Sequence, residues 1–194
     1  MYIGKIVNAS SHVDYVCQIY GPGEAEQIPA PLDYCFGSFV GIEQDDGEQL
    51  VGLIANTTLL NPEFGNLGPR LSPQEDLAVF SPDYLAEQAT LVAITVIGAL
   101  QRGNAIQGVP AVCAGIDARV RRLTDGEVET FHNHDGRFRM GYLSLLQAMD
   151  ANPLIPPLLL QVTHDLIGRF PDQARRLAIL RCNLAWRCAV LPAG

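Results

Sequence analysis

The sequence has no hydrophobic run long enough to cross a membrane. Its longest apolar stretches, "TLVAITVIGAL" and "IPPLLLQV", fall well short of the roughly 20 residues that a spanning helix needs. The opening "MYIGKIVNAS" lacks the apolar core and small-residue cleavage site of a secretory signal. Apolar residues make up 48% and charged residues 18% of the 194 residues, as in ordered globular proteins. These features predict a soluble, cytoplasmic protein that does not contact a membrane.

Cysteine pairs are also missing. The chain has five cysteines, an odd number, and no Cys-x-x-Cys spacing, so neither a zinc ribbon nor a dithiol redox motif is present. Three of the five, Cys17, Cys35 and Cys113, lie in apolar stretches, where cysteine behaves as a small hydrophobic residue. We therefore predict buried free thiols at these positions.

The common nucleotide-binding and hydrolase motifs do not occur. The sequence contains no G-x-x-x-x-G-K-[ST] loop, no G-x-S-x-G and no G-x-G-x-x-G, which excludes a P-loop nucleotide site and the usual serine-hydrolase elbow. No nucleophile has a base at a recognisable spacing. The sequence therefore predicts a non-enzymatic protein with no catalytic residue, no cofactor and no metal.

Basic residues are scarce in the first half of the chain. Residues 1–101 carry two basic groups, Lys5 and Arg70, against thirteen acidic ones, whereas residues 102–194 carry eleven arginines and eight acids. The net charge of −8 thus divides into −11 and +3. An acidic surface repels phosphate backbones, so we do not expect the first half to bind nucleic acid.

The first two-thirds of the sequence has the residue pattern of β-strands. In "HVDYVCQIY", Val13, Tyr15, Cys17 and Ile19 alternate with polar residues, the period of a strand with one buried face. "CFGSFVGIEQ" and "EQLVGLIANT" flank "DDG", a hairpin turn, and "ATLVAITVIGAL" and "PAVCAGIDARVRRL" are rich in strand-forming residues. Glycines inside the strands predict bulges or sharp bends of the kind that closed barrels need: Gly37, Gly41 and Gly52.

After residue 136 the apolar period becomes helical. "RMGYLSLLQAMD" and "PPLLLQVTHDLIG" repeat apolar residues three or four apart, with prolines at the start of the second segment and Gly168 as its expected end. Asp172 is placed to cap a last helix, whose stripe runs through Leu177, Leu180, Leu184, Cys188 and Leu191. The predicted fold is a β-barrel (residues 1–130) followed by a small α-helical bundle (residues 137–194).

"FHNHDG", residues 131–136, is the stretch most suggestive of a metal site. Two histidines and an aspartate, His132, His134 and Asp135, define the alternative hypothesis of a metal-dependent hydrolase. A catalytic zinc needs three protein ligands that converge, and only His12 and His164 remain elsewhere, near the two ends of the chain. Asn-His-Asp-Gly is also ordinary turn chemistry. We therefore favour a solvated linker between the strand and helical parts.

Other candidate residues have simpler interpretations. The aromatic residues of the strand region face acidic surroundings, so core packing is favoured over base stacking for Tyr15, Tyr20, Tyr34, Phe36 and Phe39. The last helix carries Arg175, Arg176 and Arg181, which define a third hypothesis, nucleic-acid binding, although solvation or pairing with acids is commoner. His164 is expected on a helix surface, and Trp186 is expected to hold the last helix against the barrel.

The strand set "IGKIVNASSHVDYVCQIY", "GSFVGIEQDDGEQLVGLIANTTLL" and "TLVAITVIGAL" resembles the HAS barrel. This is the small β-barrel at the front of HerA-type DNA translocases, and it is related to the N-terminal barrel of rotary ATP synthase subunits. The translocases continue into a P-loop motor, which is not found in this sequence, so neither ATP hydrolysis nor any catalytic residue carries over. The resemblance implies a role in assembly or in docking to a protein partner, with a HerA-like ATPase as the candidate.

Self-association is a further expectation. Barrel edges and apolar helix stripes are surfaces that a chain of this length does not readily cover by itself. The acidic first half of one copy can meet the arginine-bearing second half of another in a head-to-tail contact, or two copies can pair two-fold through the last helix to give a dimer. Either arrangement predicts a homo-oligomer.

Overall fold

The apolar segments form strands and helices in a computed structural model that describes residues 1–44, 47–61, 88–101, 104–149 and 152–190. The first strands are β1 (Tyr2–Ala9), β2 (Asp14–Ile19), β3 (Phe39–Glu43), β4 (Gln49–Leu60), β5 (Ala89–Gln101), β6 (Asn104–Gln107) and β7 (Arg119–Arg122). They are followed by α1 (Asp125–His132), β8 (Asn133–His134), β9 (Arg137–Phe138), α2 (Leu143–Gln147), α3 (Ile155–Arg169) and α4 (Ala174–Val190). Two 3-10 helices cover Pro31–Tyr34 and Pro171–Gln173.

Six strands close into an antiparallel barrel. Their order is β2–β1–β7–β3–β4–β5, and β2 also pairs with β5, which closes the ring. The long β5 pairs with β2 over 91–95 and with β6 over 98–101, so that β6 extends the sheet past the ring. Closure gives each of the six strands a partner on both sides. The predicted barrel, followed by helices, is confirmed.

The inside of the barrel is filled by apolar side chains, which we call the inner core. Its members come from all six strands and alternate with residues on the outer surface, as the pleat requires. They are Ile3, Ile6, Tyr15, Cys17, Ile19, Val40, Ile42, Leu50, Ile54, Val92, Ile94, Val96, Ala99 and Val120. The period-two prediction for β2 is confirmed, because Tyr15, Cys17 and Ile19 all lie in this core.

A second cluster, which we call the outer core, lies between one face of the barrel and the helices. The barrel contributes Phe39, Val51, Leu53, Ala55, Ile97 and Leu100, all from β3, β4 and β5. The helical part contributes residues including Leu146, Leu158, Leu166 and Leu184. Because β4 over residues 50–55 and β5 over residues 94–100 are covered on both faces, these parts of the strands are mostly apolar rather than alternating.

The glycine predictions have three different outcomes. The pairing of β4 with β5 shifts between Val51 and Gly52, so the bulge expected there is confirmed. A Cβ on Gly52 would lie 2.4 Å from Cγ2 of Ile94, which leaves no room for a side chain. Gly37 lies in a turn before β3 with φ +84°, so a sharp bend is present there, although it precedes the strand. Gly41 pairs in regular register with Val51, so the prediction of a bulge or bend at Gly41 is wrong.

The predicted helical pattern is confirmed for α3 and largely for α4. In α3, Leu158, Leu159, Val162 and Leu166 are buried, prolines lie in the first turn, and the helix ends at Arg169, one residue past Gly168. In α4, Leu177 and Leu184 are buried, whereas the side chain of Cys188 and residue Leu191 lie outside the described part. None of the described helices is both long and apolar enough to span a membrane.

Two stretches differ from the sequence prediction. "PAVCAGIDARVRRL" forms a strand only over Arg119–Arg122, and residues 108–118 run as a loop. A helix, α1, occupies Asp125–His132, where a strand region was expected to end. The turn predicted from "DDG" includes Asp45 and Asp46, which are outside the described residues, although β3 and β4 do pair as a hairpin.

Candidate functional site

His132, the first histidine of "FHNHDG", is fully buried and not solvated. It is the last residue of α1, with a side chain 0% exposed, and Phe131 beside it is buried as well. Asn133, His134, Asp135 and Gly136 are exposed. The linker prediction is therefore wrong for the first two residues of the motif and confirmed for the last four.

Both ring nitrogens of His132 have hydrogen-bond partners. Nδ1 lies 2.7 Å from the carbonyl oxygen of Val128, and Nε2 lies 2.8 Å from the hydroxyl of Tyr142. A carbonyl oxygen only accepts, so Nδ1 carries the proton and Nε2 accepts from Tyr142. These two bonds use the donor and the acceptor of a neutral imidazole and leave neither for a metal.

Aromatic rings surround this imidazole. Phe39 and Phe131 meet it edge-on at centroid distances of 5.3 Å, and Phe138 stacks on it at 5.6 Å. Phe170 lies at 5.7 Å. Since these rings come from β3, α1, β9 and the end of α3, the imidazole joins the barrel to the helical part.

Burial lowers the pKa of His132 to about 4 and raises the pKa of Tyr142. Desolvation is the main cause for both groups, because each loses the water that would solvate its charged form. The pair is therefore neutral near pH 7. Its arrangement is that of a satisfied structural pair in the outer core.

The remaining letters of the motif form a tight hairpin. β8 pairs with β9 through His134 and Arg137, and the two-residue turn is Asp135–Gly136, with φ values of +51° and +74°. Asp-Gly is a favoured pair for such turns because both positions need positive φ. His134 and Asp135 lie together at this exposed tip, whereas His132 lies in the core. Among the described residues, no three His, Cys, Asp or Glu side chains form a group that could hold a metal ion.

A partly buried ion pair links α1 to the barrel. Arg121 on β7 binds the carboxylate of Glu127 with two nitrogens and donates to Gln49 Oε1 at 2.8 Å, and Gln49 donates back to Glu127 at 3.0 Å. Glu127 also accepts from the backbone N–H of Thr124 at 2.9 Å, which forms a capping box. Arg121 and these bonds hold the pKa of Glu127 well below its usual range.

An open groove of about 490 Å³ lies between α1 and the connection from α3 to α4. Its polar lining includes Glu129, Arg169 and Asp172, and Arg169 is already paired with Asp125. His132 also lines the groove, but both of its ring nitrogens already have hydrogen-bond partners. The groove thus brings together no nucleophile and base among its lining residues.

The most unusual surface feature is the connection between β6 and β7, residues 108–118, which we call the 108–118 loop. Its sequence, "GVPAVCAGIDA", has a single charged residue, Asp117. Val109, Val112 and Ile116 are 57%, 63% and 76% exposed. Cys113 is exposed too, so the buried-thiol prediction is wrong for Cys113, and likewise for Cys35, but confirmed for Cys17.

Hydrogen bonds hold this loop against the barrel. The carbonyl of Pro110 lies 2.8 Å from Nε2 of His12, and the N–H of Ala114 donates to the hydroxyl of Tyr15 at 3.0 Å. The N–H of Asp117 donates to the carbonyl of Ile6 at 2.8 Å. Asp117 has a φ of +65°, unfavourable for a residue with a Cβ, and its carboxylate pairs with Lys5 at 3.0 Å. Three hydrogen bonds and an ion pair thus tie the loop to the barrel, while Val109, Val112 and Ile116 stay exposed.

The last helix presents a second exposed apolar face. Arg175, Ile179, Cys182 and Trp186 recur four, three and four residues apart, so they lie on one side of α4, which we call the α4 outer face. Leu177 and Leu184 are buried on the other side. Trp186 is 64% exposed, so the prediction that it holds α4 against the barrel is wrong.

The sequence predictions for the aromatic residues of the strand region and for His164 agree with the structure. Tyr15 and Phe39 are buried and Tyr20, Tyr34 and Phe36 are half-buried, as core packing requires. His164 is exposed on α3, as expected. The missed helix α1 had a signal in "TDGE", because Thr124 followed three residues later by Glu127 is the signature of a capping box. No sequence signal indicated that the 108–118 loop would be exposed, since its residues are equally typical of a buried strand.

A comparison with protein families gives one result for the whole chain. A family model described as a domain of unknown function (DUF8166) matches residues 1–193. No curated protein sequence matches the chain. Since the family match covers nearly every residue, the chain belongs to the DUF8166 family.

Proposed function

We propose that this protein is a cytoplasmic binding or assembly module without catalytic activity of its own. The observation that carries the proposal is the 108–118 loop, which exposes Val109, Val112 and Ile116 while hydrogen bonds fix its backbone. Exposed apolar patches commonly mark contact sites, and burial of one such side chain contributes about 1.5–3 kcal/mol. A loop already held in one conformation loses little entropy on binding.

The resemblance to the HAS barrel supports a particular partner. Such barrels serve docking in ring-shaped ATPases, so a HerA-type ATPase from the same genome is the partner to test first. In this proposal the barrel supplies the contact loop. The helices form a small bundle that packs against the outer surface of β3, β4 and β5.

The test is binding of the purified chain to that ATPase, measured by calorimetry. Val112→Asp combined with Ile116→Asp puts two charges on the 108–118 loop. We expect the affinity to fall at least about tenfold, because each substitution removes an apolar contact that is buried in the complex. Leu59→Asp is the matched control, because Leu59 is an equally exposed apolar residue (75%) on β4. We expect that control to bind like the unmodified chain.

Two results contradict the proposal. One is an unchanged affinity for the doubly substituted loop, which would place the contact elsewhere. The other is ATP hydrolysis by the chain alone that disappears when the chain is altered. A circular dichroism spectrum of each variant shows whether the fold is intact, so that a loss of binding is not a loss of structure.

The metal-dependent hydrolase hypothesis, with His132, His134 and Asp135 as ligands, has no geometric support among the described residues. Elemental analysis of the purified protein tests it: stoichiometric zinc or manganese that is lost in His134→Ala would revive it. For nucleic-acid binding through Arg175, Arg176 and Arg181, the test is retention of DNA that weakens steeply with added salt.

A further inference from the structure

The α4 outer face combines exposed apolar side chains with uncompensated positive charge. Ile179 and Trp186 are 56% and 64% exposed, and Arg175 lies on the same stripe. The helix contains four arginines and no acidic residue: Arg175, Arg176, Arg181 and Arg187. Among the ion pairs of the described residues, none includes any of these four. The face therefore suits an occupant that is apolar and acidic.

A surface of that kind exists on the same chain, in residues 21–34 between β2 and β3, which we call the 21–34 loop. Its sequence, "GPGEAEQIPAPLDY", has three acidic residues and no basic one. Ile28 and Leu32 are 57% and 76% exposed. The loop thus carries the opposite charge to the α4 outer face and apolar side chains of its own.

The 21–34 loop is also held in a defined conformation. The N–H of Gly21 donates to the carboxylate of Glu24 at 2.7 Å, and the N–H of Ala30 donates to Asp33 at 2.8 Å. A 3-10 helix covers its end, and Arg122 donates to the carbonyl of Leu32 at 3.3 Å. Its apolar side chains are therefore displayed on a fixed backbone, which lowers the entropy lost on contact.

We infer that the α4 outer face of one copy binds the 21–34 loop of a second copy. Trp186 and Ile179 bury their apolar surface against Ile28 and Leu32, and Arg175 faces the acidic side chains of the loop. Pairing of two α4 outer faces with each other is less favourable, because it would place Arg175 of each copy in the contact without an acidic residue from either helix. The inference deepens the proposed assembly function and rests on it.

This contact is head-to-tail, so each copy uses two different surfaces. A variant that loses one surface still keeps the other. Two such variants, each unable to self-associate, must therefore pair when they are mixed, and the assembly must stop at two copies. Pairing of two α4 helices with each other would behave differently, because the variant altered only in the 21–34 loop would then still self-associate.

The experiment measures mass by sedimentation, with a reductant present so that exposed Cys182 forms no disulfide. The unmodified chain is expected to have at least twice the monomer mass at about 50 mM salt and to approach the monomer at about 0.5 M. Trp186→Ala with Arg175→Glu, and separately Glu26→Arg with Leu32→Ala, are expected to be monomers. An equimolar mixture of these two variants is expected to give a dimer.

Matched controls change similar charges elsewhere on the exposed surface: Arg137→Glu on β9 and Glu129→Arg on α1. Both should keep the mass of the unmodified chain. A monomer at low salt for the unmodified chain overturns the inference. So does a dimer that salt does not dissociate, or a mixture of the two variants that stays monomeric. Because these substitutions leave the 108–118 loop intact, ATPase binding by the monomeric variants is read separately, and either idea can fail alone.

Discussion

The inner and outer cores share the wall formed by β3, β4 and β5 but differ in chemistry. The inner core consists of aliphatic residues with Tyr15 and Cys17, and its members alternate along the strands except where the register shifts. The outer core includes the buried polar pair His132 and Tyr142 and also encloses Thr163, whose side chain is 0% exposed. An apolar core is insensitive to pH, whereas a buried imidazole must be neutral. The outer core should therefore limit the stability of the protein in acid.

The largest effect should come from a cavity in either core. Ile94→Ala in the inner core and Leu158→Ala in the outer core each remove most of a side chain that is 1% or less exposed. Each should lower the free energy of unfolding by about 2–5 kcal/mol. Because the strands between the cores belong to both, we expect urea unfolding to remain a single transition in each variant, whether followed by circular dichroism or by tyrosine absorbance.

Ile179→Ala is the control for these two substitutions, since Ile179 is 56% exposed and should change stability little. Two separate transitions in Leu158→Ala, with the helical signal lost first, would contradict the idea of a shared wall. That result would instead favour independent units at residues 1–130 and 137–194, as the sequence predicted.

The next effect separates the two cores by pH. The pKa of His132 is about 4 in the folded protein, below the usual 6.5, so the unfolded chain binds more protons between these values. Stability must then fall as pH drops from about 6.5 to about 4, by roughly 3 kcal/mol in total from this one group. Urea unfolding at a series of pH values measures it.

The matched variants isolate His132 as the source. His132→Phe combined with Tyr142→Phe removes both polar side-chain groups, and only the carbonyl of Val128 loses its bond to Nδ1. The loss of stability between pH 6.5 and 4 should therefore become much smaller. His164→Gln, at an exposed position on α3, should keep the full pH dependence. An unchanged slope in the double variant would show that other groups cause the acid sensitivity.

The two cores also differ in how well they could be predicted from the sequence. The inner core was predictable, because alternation such as Tyr15, Cys17 and Ile19 depends only on the local pleat. The role of His132 was not, because its burial depends on Phe39, Phe138, Tyr142 and Phe170, which are brought together by the tertiary fold. The loop chemistry of Asn-His-Asp-Gly correctly indicated exposure of Asp135 and Gly136 and misled at His132, only four residues before Gly136.

The surfaces were harder still to predict. Trp186 and the residues of the 108–118 loop are apolar, and apolar residues are usually assigned to the core. The three-and-four spacing of the last helix did separate Leu184, which is buried, from Ile179, which is exposed, but it did not indicate that Trp186 would be exposed. The orientation of α4 on the barrel decides this, and that orientation results from packing of the whole outer core.

A smaller effect is expected when only one member of the polar pair is changed. Tyr142→Phe keeps the ring but leaves Nε2 of His132 without a donor in a site that water does not reach. We expect the free energy of unfolding at pH 7 to fall by about 1–3 kcal/mol. Adding His132→Phe should recover part of this loss, and a double variant less stable than the sum of both single changes would contradict the assignment of the hydrogen bond.

The smallest effect concerns the contact that joins α1 to the barrel. Glu127→Gln keeps the length and part of the capping box but removes the charge that binds Arg121. Because the carboxylate is partly exposed, we expect a loss of only about 1 kcal/mol at pH 7. The pKa of Glu127 is lowered in the folded protein, so this contribution is present above the ordinary pKa of about 4.5 and is lost as pH falls below it. The difference between Glu127→Gln and the unmodified chain should therefore begin to shrink near pH 4.5 and should continue to shrink at pH values below the window assigned to His132. Glu129→Gln, on an exposed position of the same helix, should show no such difference at any pH. If Glu127→Gln and Glu129→Gln are equally stable at pH 7, the Arg121–Glu127 pair does not hold α1 in place.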